Sequence, residues 1–310
     1  MAPNFDHQKK VFICGTGRSG TSLLHDMVSA HPQIHGLRGE TKFIVEGDGL
    51  AALIPALTDR YSITAADLAL LRFMALMGLD VPATQFQDGP DFARDLAARI
   101  GERFFVPALQ SYVEALIDFN VTTAADPTGS PYPKHFEDPG TLIALTRAFI
   151  DAMFGAACDA AGKSVWCEKT PSSLVAIDLL WQLFPEARML HIKRDPRGVL
   201  HSLMQQAWAP QDLRQATALL RHIYIRWLRL KPRLALPDPR YLEIKLEDLC
   251  ADPDLVMGQV ARTIGIPPEF RVTGTRIAMV DRWKVEMPGP HRAYAEAELE
   301  DIFDLMGYSI

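Results

Sequence analysis

The chain alternates between two hydrophobic patterns. Val11 to Cys14 is a continuous apolar run, and such a run bounded by glycine predicts a strand buried on both faces of a parallel sheet. Gly15 to Gly20 predicts a turn. From Thr21 to Ala30 the apolar positions Leu23, Leu24, Met27 and Val28 fall on one side of a helix, which Pro32 stops. Ile34 to Leu37 predicts a short second strand. From 42 to 160 the pattern is mostly helical, broken at Pro55, Pro82, Pro90 and Pro107, and Asp126 to Pro139, with four prolines, reads as an exposed loop. Beyond Lys163 the alternation returns. Strands are predicted at Ser164–Cys167, Arg188–Ile192 and Tyr241–Ile244. Helices are predicted from Ser172 to Leu183, from Pro196 to about Gln206, from Leu213 to Leu234, after Asp252-Pro253, and over 293–306.

Strands that alternate with helices specify a parallel sheet covered on both faces. The predicted fold is therefore of the α/β class: a P-loop-type parallel β-sheet flanked by helices, with a large, mainly helical insertion. The 310 residues are read as one α/β domain, with the insertion at about 45–160. Apolar residues make up 48% of the chain, enough for a sizeable core without disulfides or metal. The net charge is −6, from 32 basic and 38 acidic residues, so the basic excess of a general nucleic-acid binder is missing. Cys14, Cys158, Cys167 and Cys250 lack metal-ligand spacing and read as buried thiols. His25, His31, His191, His201 and His222 share no ligand pattern either, so no metal is expected. Met1 to Lys10 has no signal-peptide architecture and no apolar run approaches ~18 residues. The expectation is a cytoplasmic protein without a membrane span.

Gly15 to Ser22 (GTGRSGTS) fits the frame G-x-x-x-x-G-x-[ST]. A loop of this kind turns backbone N–H groups into a concavity, and the helix N-terminus behind it favours an anion. Nucleotide-hydrolysing loops carry Lys where this chain has Thr21, and Arg18 supplies a cation from within the loop instead. A glycine turn that merely joins strand to helix is the plain alternative.

Residues 14–24 (CGTGRSGTSLL) closely resemble the 5′-phosphosulfate-binding loop of sulfotransferases that use 3′-phosphoadenosine 5′-phosphosulfate (PAPS). The continuation, AHPQI at 30–34 and GETK at 39–42, is similar to the tyrosylprotein and Golgi-carbohydrate branch and its bacterial relatives. Three more segments agree in order: CEKTP at 167–171, LHIKRDPRGVLHS at 190–202 and YLEIKLEDL at 241–249. The resemblance covers 10–50 and 160–310, and leaves out 50–160.

The resemblance implies a sulfotransferase that moves the sulfuryl group of PAPS in line to a hydroxyl acceptor, without a metal. Arg18, Ser19, Gly20, Thr21 and Ser22 would hold the 5′-phosphosulfate. Arg194 and Ser202 would hold the 3′-phosphate. Lys169 would face the leaving oxygen, and Glu40 would take the acceptor proton, with His35 as runner-up base. Arg197 is read as sharing the anion or simply exposed. DRWK at 281–284 resembles the segment that closes over the nucleotide. It makes Arg282 and Lys284 cofactor contacts and leaves Trp283 between that role and the core. Thr273 and Thr275 are candidates for a serine missing from its usual place. The acceptor is a small-molecule, glycan, lipid or peptide hydroxyl. A P-loop kinase-like enzyme and a non-catalytic nucleotide-binding protein are the competing readings. The apolar stretches Leu68–Leu79 and Phe104–Ile117 suit either a hydrophobic acceptor or, the preferred reading, the core faces of packed helices.

Overall fold

The structure, a computed structural model, describes residues 5–79, 89–122, 129–270 and 280–310, with backbone only at 89 and 90. Among these, seven strands run in chain order: β1 (Lys9–Gly15), β2 (Ile34–Gly36), β3 (Ile117–Val121), β4 (Ser130–Pro133), β5 (Val165–Lys169), β6 (Arg188–Lys193) and β7 (Tyr241–Lys245). Five of them form one sheet in the order β2-β5-β1-β6-β7. β1 and β6 are parallel, with Gly15 opposite Ile192, and β6 and β7 are parallel, with Lys193 opposite Lys245. β1, β5 and β6 lie inside the sheet and are buried along almost their whole length, which explains their unbroken apolar runs. β7 is an edge strand and mostly half-buried. Together with the flanking helices this is the expected α/β arrangement.

The chain packs as two compact units. One comprises Lys9–Gly36, Cys167–Asp178 and Glu186–Ile310 and carries most of the sheet. The other comprises the residues up to Gln8 together with Leu37–Trp166 and Leu179–Pro185. The second is mainly helical, with helices Leu50–Leu57, Ile63–Leu76, Gly89–Ile100, Glu102–Leu116 and Pro139–Ile150. Its core is aromatic: Tyr112 stacks on Phe149 at 4.4 Å, and Phe154 and Phe184 meet Trp166 edge-on at 5.4 and 5.6 Å. Phe105, Leu109, Tyr112, Val113 and Leu116 are buried at helical spacing, and so are Leu70 and Phe73, so both apolar stretches are core faces.

Three features of this unit depart from the sequence reading. Pro55 and Pro107 sit inside helices rather than between them, each removing one backbone bond without ending the helix there. The expected loop contains β4, which pairs antiparallel with β3. Pro131 and Pro133 are tolerated because a two-stranded ribbon consists only of edges. By length and composition one stretch, Pro139–Ala160, could cross a membrane, although its apolar residues are not consecutive. In the fold 56% of its apolar window is buried, as in a core helix.

Candidate active site

The loop after β1 is shaped by close approach. A Cβ on Gly15 would stand 2.4 Å from the carbonyl oxygen of Ile192 and 2.5 Å from Ser19 Oγ, so only glycine allows this return. Ser19 is fully buried, and its Oγ has no hydrogen-bond partner among the described residues. Gly17, Arg18 and Gly20 adopt left-handed conformations with φ of 54°, 58° and 99°. The helix Thr21–Ser29 follows at once, and Gly20 gives it no side-chain cap. Its first N–H groups and the positive end of its dipole are thus left for an anion. Thr21 is buried and Ser22 exposed on that first turn, and nothing lies within 4 Å of where a Gly17 Cβ would be.

Arg18 is the joint of the site. Its Nε donates to Ser202 Oγ at 3.1 Å, and its carbonyl oxygen accepts from Arg194 Nη1 at 3.4 Å. Two segments widely separated in sequence are thus brought into one hydrogen-bonded chain. Arg194 follows β6 and is buried, and its Nη2 also donates to the carbonyl of Val280 at 2.9 Å. Burial pushes the Arg194 guanidinium down from its usual pKa, against the pull of Glu247 and Asp195 and with some help from Arg18. The charged form is under-compensated there, and an arriving anion would relieve it.

Asp195 caps the helix Pro196–Met204, accepting from Arg197 N, and holds the Arg197 guanidinium through both carboxylate oxygens at 3.0 and 2.8 Å. Arg197 also bonds Glu296 and the carbonyl of Ser309, and lies 4.4 Å over the Trp283 ring. It does not face solvent: it is buried and tied to the C-terminal part of the chain, and Trp283 is core. Gly198 makes this packing possible. A Cβ there would come within 2.7 Å of Arg194 Nε and 3.0 Å of Trp283 Cδ1. Gly198→Ala is therefore expected to lower stability by about 1–3 kcal/mol, read by urea unfolding, and to weaken any ligand held by Arg194.

Lys169 ends β5, the neighbour of β1 in the sheet, and is buried. Its charge is felt on the helix behind the loop. Burial first, and Lys169 second, push the His25 imidazole below its usual pKa, so His25 stays neutral near pH 7. Thr170, just beyond, donates through Oγ1 to the buried Glu168 at 2.5 Å. Near the C-terminus, Arg282 forks onto Glu286 at 2.9 and 3.0 Å, and Lys284 pairs with Asp281 at 2.9 Å. Glu286 also accepts from His201, which fixes the short helix Arg282–Glu286 to the helix Pro196–Met204 that carries Ser202. Thr273 and Thr275 fall outside the described residues.

Glu40 belongs to the helical unit. Its carboxylate lies 3.8 Å from Lys42 Nζ, and its backbone carbonyl accepts from both terminal nitrogens of Arg99 at 3.4 Å. His35 lies in β2 and is half-buried. A cavity of about 220 Å³ in the helical unit is lined mainly by alanines and Leu68, with Arg72 and Asp48 at 3.8 Å. None of the predicted site residues lines it. Sequence reasoning missed Gly198, Glu247 and Arg99. Glu247 accepts from Asp195 N and Tyr308 Oη and so pins the turn after Arg194. Gly198 lies inside LHIKRDPRGVLHS and Glu247 inside YLEIKLEDL, so both stood in quoted segments, whereas Arg99 had no local signal.

A family model described as the sulfotransferase family matches residues 10–270. Among solved structures the chain is similar to the sulfotransferase domain of the Synechococcus PCC 7002 olefin synthase, with a TM-score of 0.52 and 18% identity, covering 100% of this chain and 98% of that one. It is also similar to the sulfotransferase STF9 from Mycobacterium avium, with a TM-score of 0.47 and 18% identity over 98% of this chain and 78% of that one. A third similarity is to the sulfotransferase domain from the curacin biosynthetic pathway, with a TM-score of 0.47 and 15% identity over 98% and 99%. At such identities the likeness to the first of these is one of fold. No curated protein matches the chain.

Proposed function

The chain belongs to the sulfotransferase family, and on that premise we propose that it transfers the sulfuryl group of PAPS in line to a hydroxyl acceptor, with a carboxylate as base. The observation that carries this reading is the chain Ser202–Arg18–Arg194 beside an uncapped helix N-terminus. It gathers two cations, a hydroxyl and free N–H donors at one place, as a ligand with two anionic ends requires.

The residues present fit such a donor. The glycine-walled turn leaves the mouth at Gly17 open, and the buried Ser19 hydroxyl faces Gly15 without a partner among the described residues. The loop amides, Arg18, Thr21 and Ser22 would hold the 5′ end, and Arg194 with Ser202 the 3′-phosphate. The donor supplies an activated sulfuryl group whose bridging oxygen gains charge as it leaves. Lys169, buried at the end of β5, would neutralise or protonate that oxygen. Glu40 would take the proton of the acceptor hydroxyl as it attacks. Arg282 and Lys284 would reach the nucleotide by exchanging Glu286 and Asp281 for it. The acceptor is proposed to be a small-molecule, glycan, lipid or peptide hydroxyl, and the place of action the cytoplasm.

The kinase-like alternative is disfavoured by Thr21 in place of the loop lysine, and by Asp195, the acid directly after β6, whose carboxylate is occupied by Arg197 and the helix cap. The test is thermal unfolding with 3′,5′-adenosine bisphosphate against ATP, each with Mg²⁺ and with chelator. At about 100 times its Kd a ligand of the native state adds about 2.7 kcal/mol, a shift of several degrees for a chain of this size. A shift with the bisphosphate, unchanged by chelator and much larger than with ATP, is expected. A shift only with ATP and Mg²⁺ would favour the kinase.

A further inference from the structure

We infer that Arg99 is the positioning residue of the proposed base Glu40. The inference rests on the reading of Glu40 as base and adds what holds it in place.

Arg99 lies in the last turn of the helix Gly89–Ile100, with its side chain 17% exposed. It reaches some 60 residues back along the chain. Nη1 donates to the carbonyl of Arg38 at 2.5 Å, and Nη1 and Nη2 both lie 3.4 Å from the carbonyl of Glu40. The guanidinium thus bridges the residues on either side of Gly39. Gly39 has a φ of 75°, and a Cβ there would stand 2.2 Å from Arg99 Nη1. The corner is therefore both left-handed and tight, and it closes on the guanidinium plane. The clamp is itself fixed, since Asp95 holds Nη2 at 2.7 Å one turn earlier on the helix.

The segment after Glu40 is just as closely tied. Phe43 N bonds the carbonyl of Thr41, while Val45 N and Glu46 N both bond that of Lys42, whose φ is 53°. Leu50 N and Ala51 N then bond Phe43 and Ile44, which lie buried in the helical unit. From Thr41 onward the loop bonds within itself, continuing the path that the corner sets. At the corner itself, the carbonyls of Arg38 and Glu40 are held by one side chain from a helix. A planar fork that donates to two carbonyls at once sets the direction of the peptide chain, which a lysine ammonium cannot do as well. Because a general base must meet the acceptor proton within hydrogen-bond reach, the direction of the backbone at Glu40 decides how well it works.

The test is a double-mutant cycle of Arg99→Gln and Glu40→Ala. It is read by transfer from PAPS to 2-naphthol and to water, by affinity for 3′,5′-adenosine bisphosphate, and by hydrogen exchange. Arg99→Gln is expected to lower kcat by roughly tenfold to a hundredfold, the scale set by misplacement of a catalytic group. Bisphosphate affinity should be unchanged, and the amides of Phe43, Val45 and Glu46 should lose protection. In the Glu40→Ala background the same substitution should cost nothing further, and Arg99→Lys should restore part of the loss. Asp95→Asn, at an exposed position, should act in the same direction but less, and serves if Arg99→Gln does not fold. A full loss from Glu40→Ala with none from Arg99→Gln or Asp95→Asn would overturn the inference. An equal loss from Arg99→Gln in both backgrounds would also overturn it, as a purely structural effect. A Glu40→Ala variant as active as the wild type, or a wild type that transfers to neither acceptor, would instead remove the proposed function, and the exchange of the loop amides would still decide whether Arg99 clamps the corner.

Discussion

Glu40→Ala is expected to lower turnover by about 10²- to 10⁴-fold, the usual contribution of a positioned general base, while bisphosphate binding stays as in the wild type. The separation follows from the architecture. Arg18, Ser19, Arg194 and Ser202 all belong to the sheet-bearing unit, and Glu40 belongs to the helical one. The Glu40 carboxylate lies beside Lys42 and its carbonyl on Arg99, both in that helical unit, whereas the Arg18 chain is closed by Ser202 and Arg194. Turnover with a good acceptor, together with titration calorimetry using the bisphosphate, checks both halves. Glu40→Gln should behave like the alanine variant, because the amide keeps the shape and loses the basic oxygen. Full activity in either variant would return attention to His35.

Arg194→Ala is expected to act on the other half of the reaction. It should weaken bisphosphate binding by about 2–5 kcal/mol, the cost of truncating one partner of a buried charge pair. Turnover at saturating donor should fall much less than affinity. Arg194 bonds the carbonyls of Arg18 and Val280, so its removal also leaves two acceptors without that donor and loosens the loop on one side. Arg194→Lys should recover the charge and little of the affinity, since a point cation cannot span those carbonyls and a phosphate together. Calorimetry reads the affinity, and a loss of less than tenfold would mean that the 3′-phosphate is held elsewhere.

Much of this fold is legible in the amino-acid sequence. β1, β5 and β6 are buried on both faces, so their apolar runs are continuous and bounded by glycine, proline or charge. The helix behind the loop is legible for a similar reason, since its buried face recurs at helical spacing. The β3–β4 ribbon is not, because two short half-exposed strands carrying Pro131 and Pro133 have no periodicity that outweighs their turn-like composition. In the site, the residue types announce themselves by motif, but their partners do not. Arg197 looks like a second anion ligand because DPR reads locally. Only Asp195 among its partners is local; Glu296, Phe303 and Ser309 are about a hundred residues away, and no local pattern contains them. Arg99 is silent for a similar reason, as one of two arginines on an amphipathic helix, its task set by a corner about sixty residues earlier.

Arg18 holds a conformation that L-residues avoid, with its guanidinium on Ser202 and its carbonyl on Arg194. One residue therefore stands between the two ends of the proposed donor site, and the occupancies of those ends are coupled. Whatever steadies Arg18 from the Ser202 side also steadies the loop that meets the other anion. The free energies of the two phosphates then add to more than their sum, because the ordering of the loop is met once rather than twice. Adenosine 5′-phosphate and adenosine 3′-phosphate should each bind far more weakly than half of the bisphosphate's free energy implies. A binding site built in this way rejects the abundant monophosphates of a cell by withholding cooperation, without any group placed to repel them.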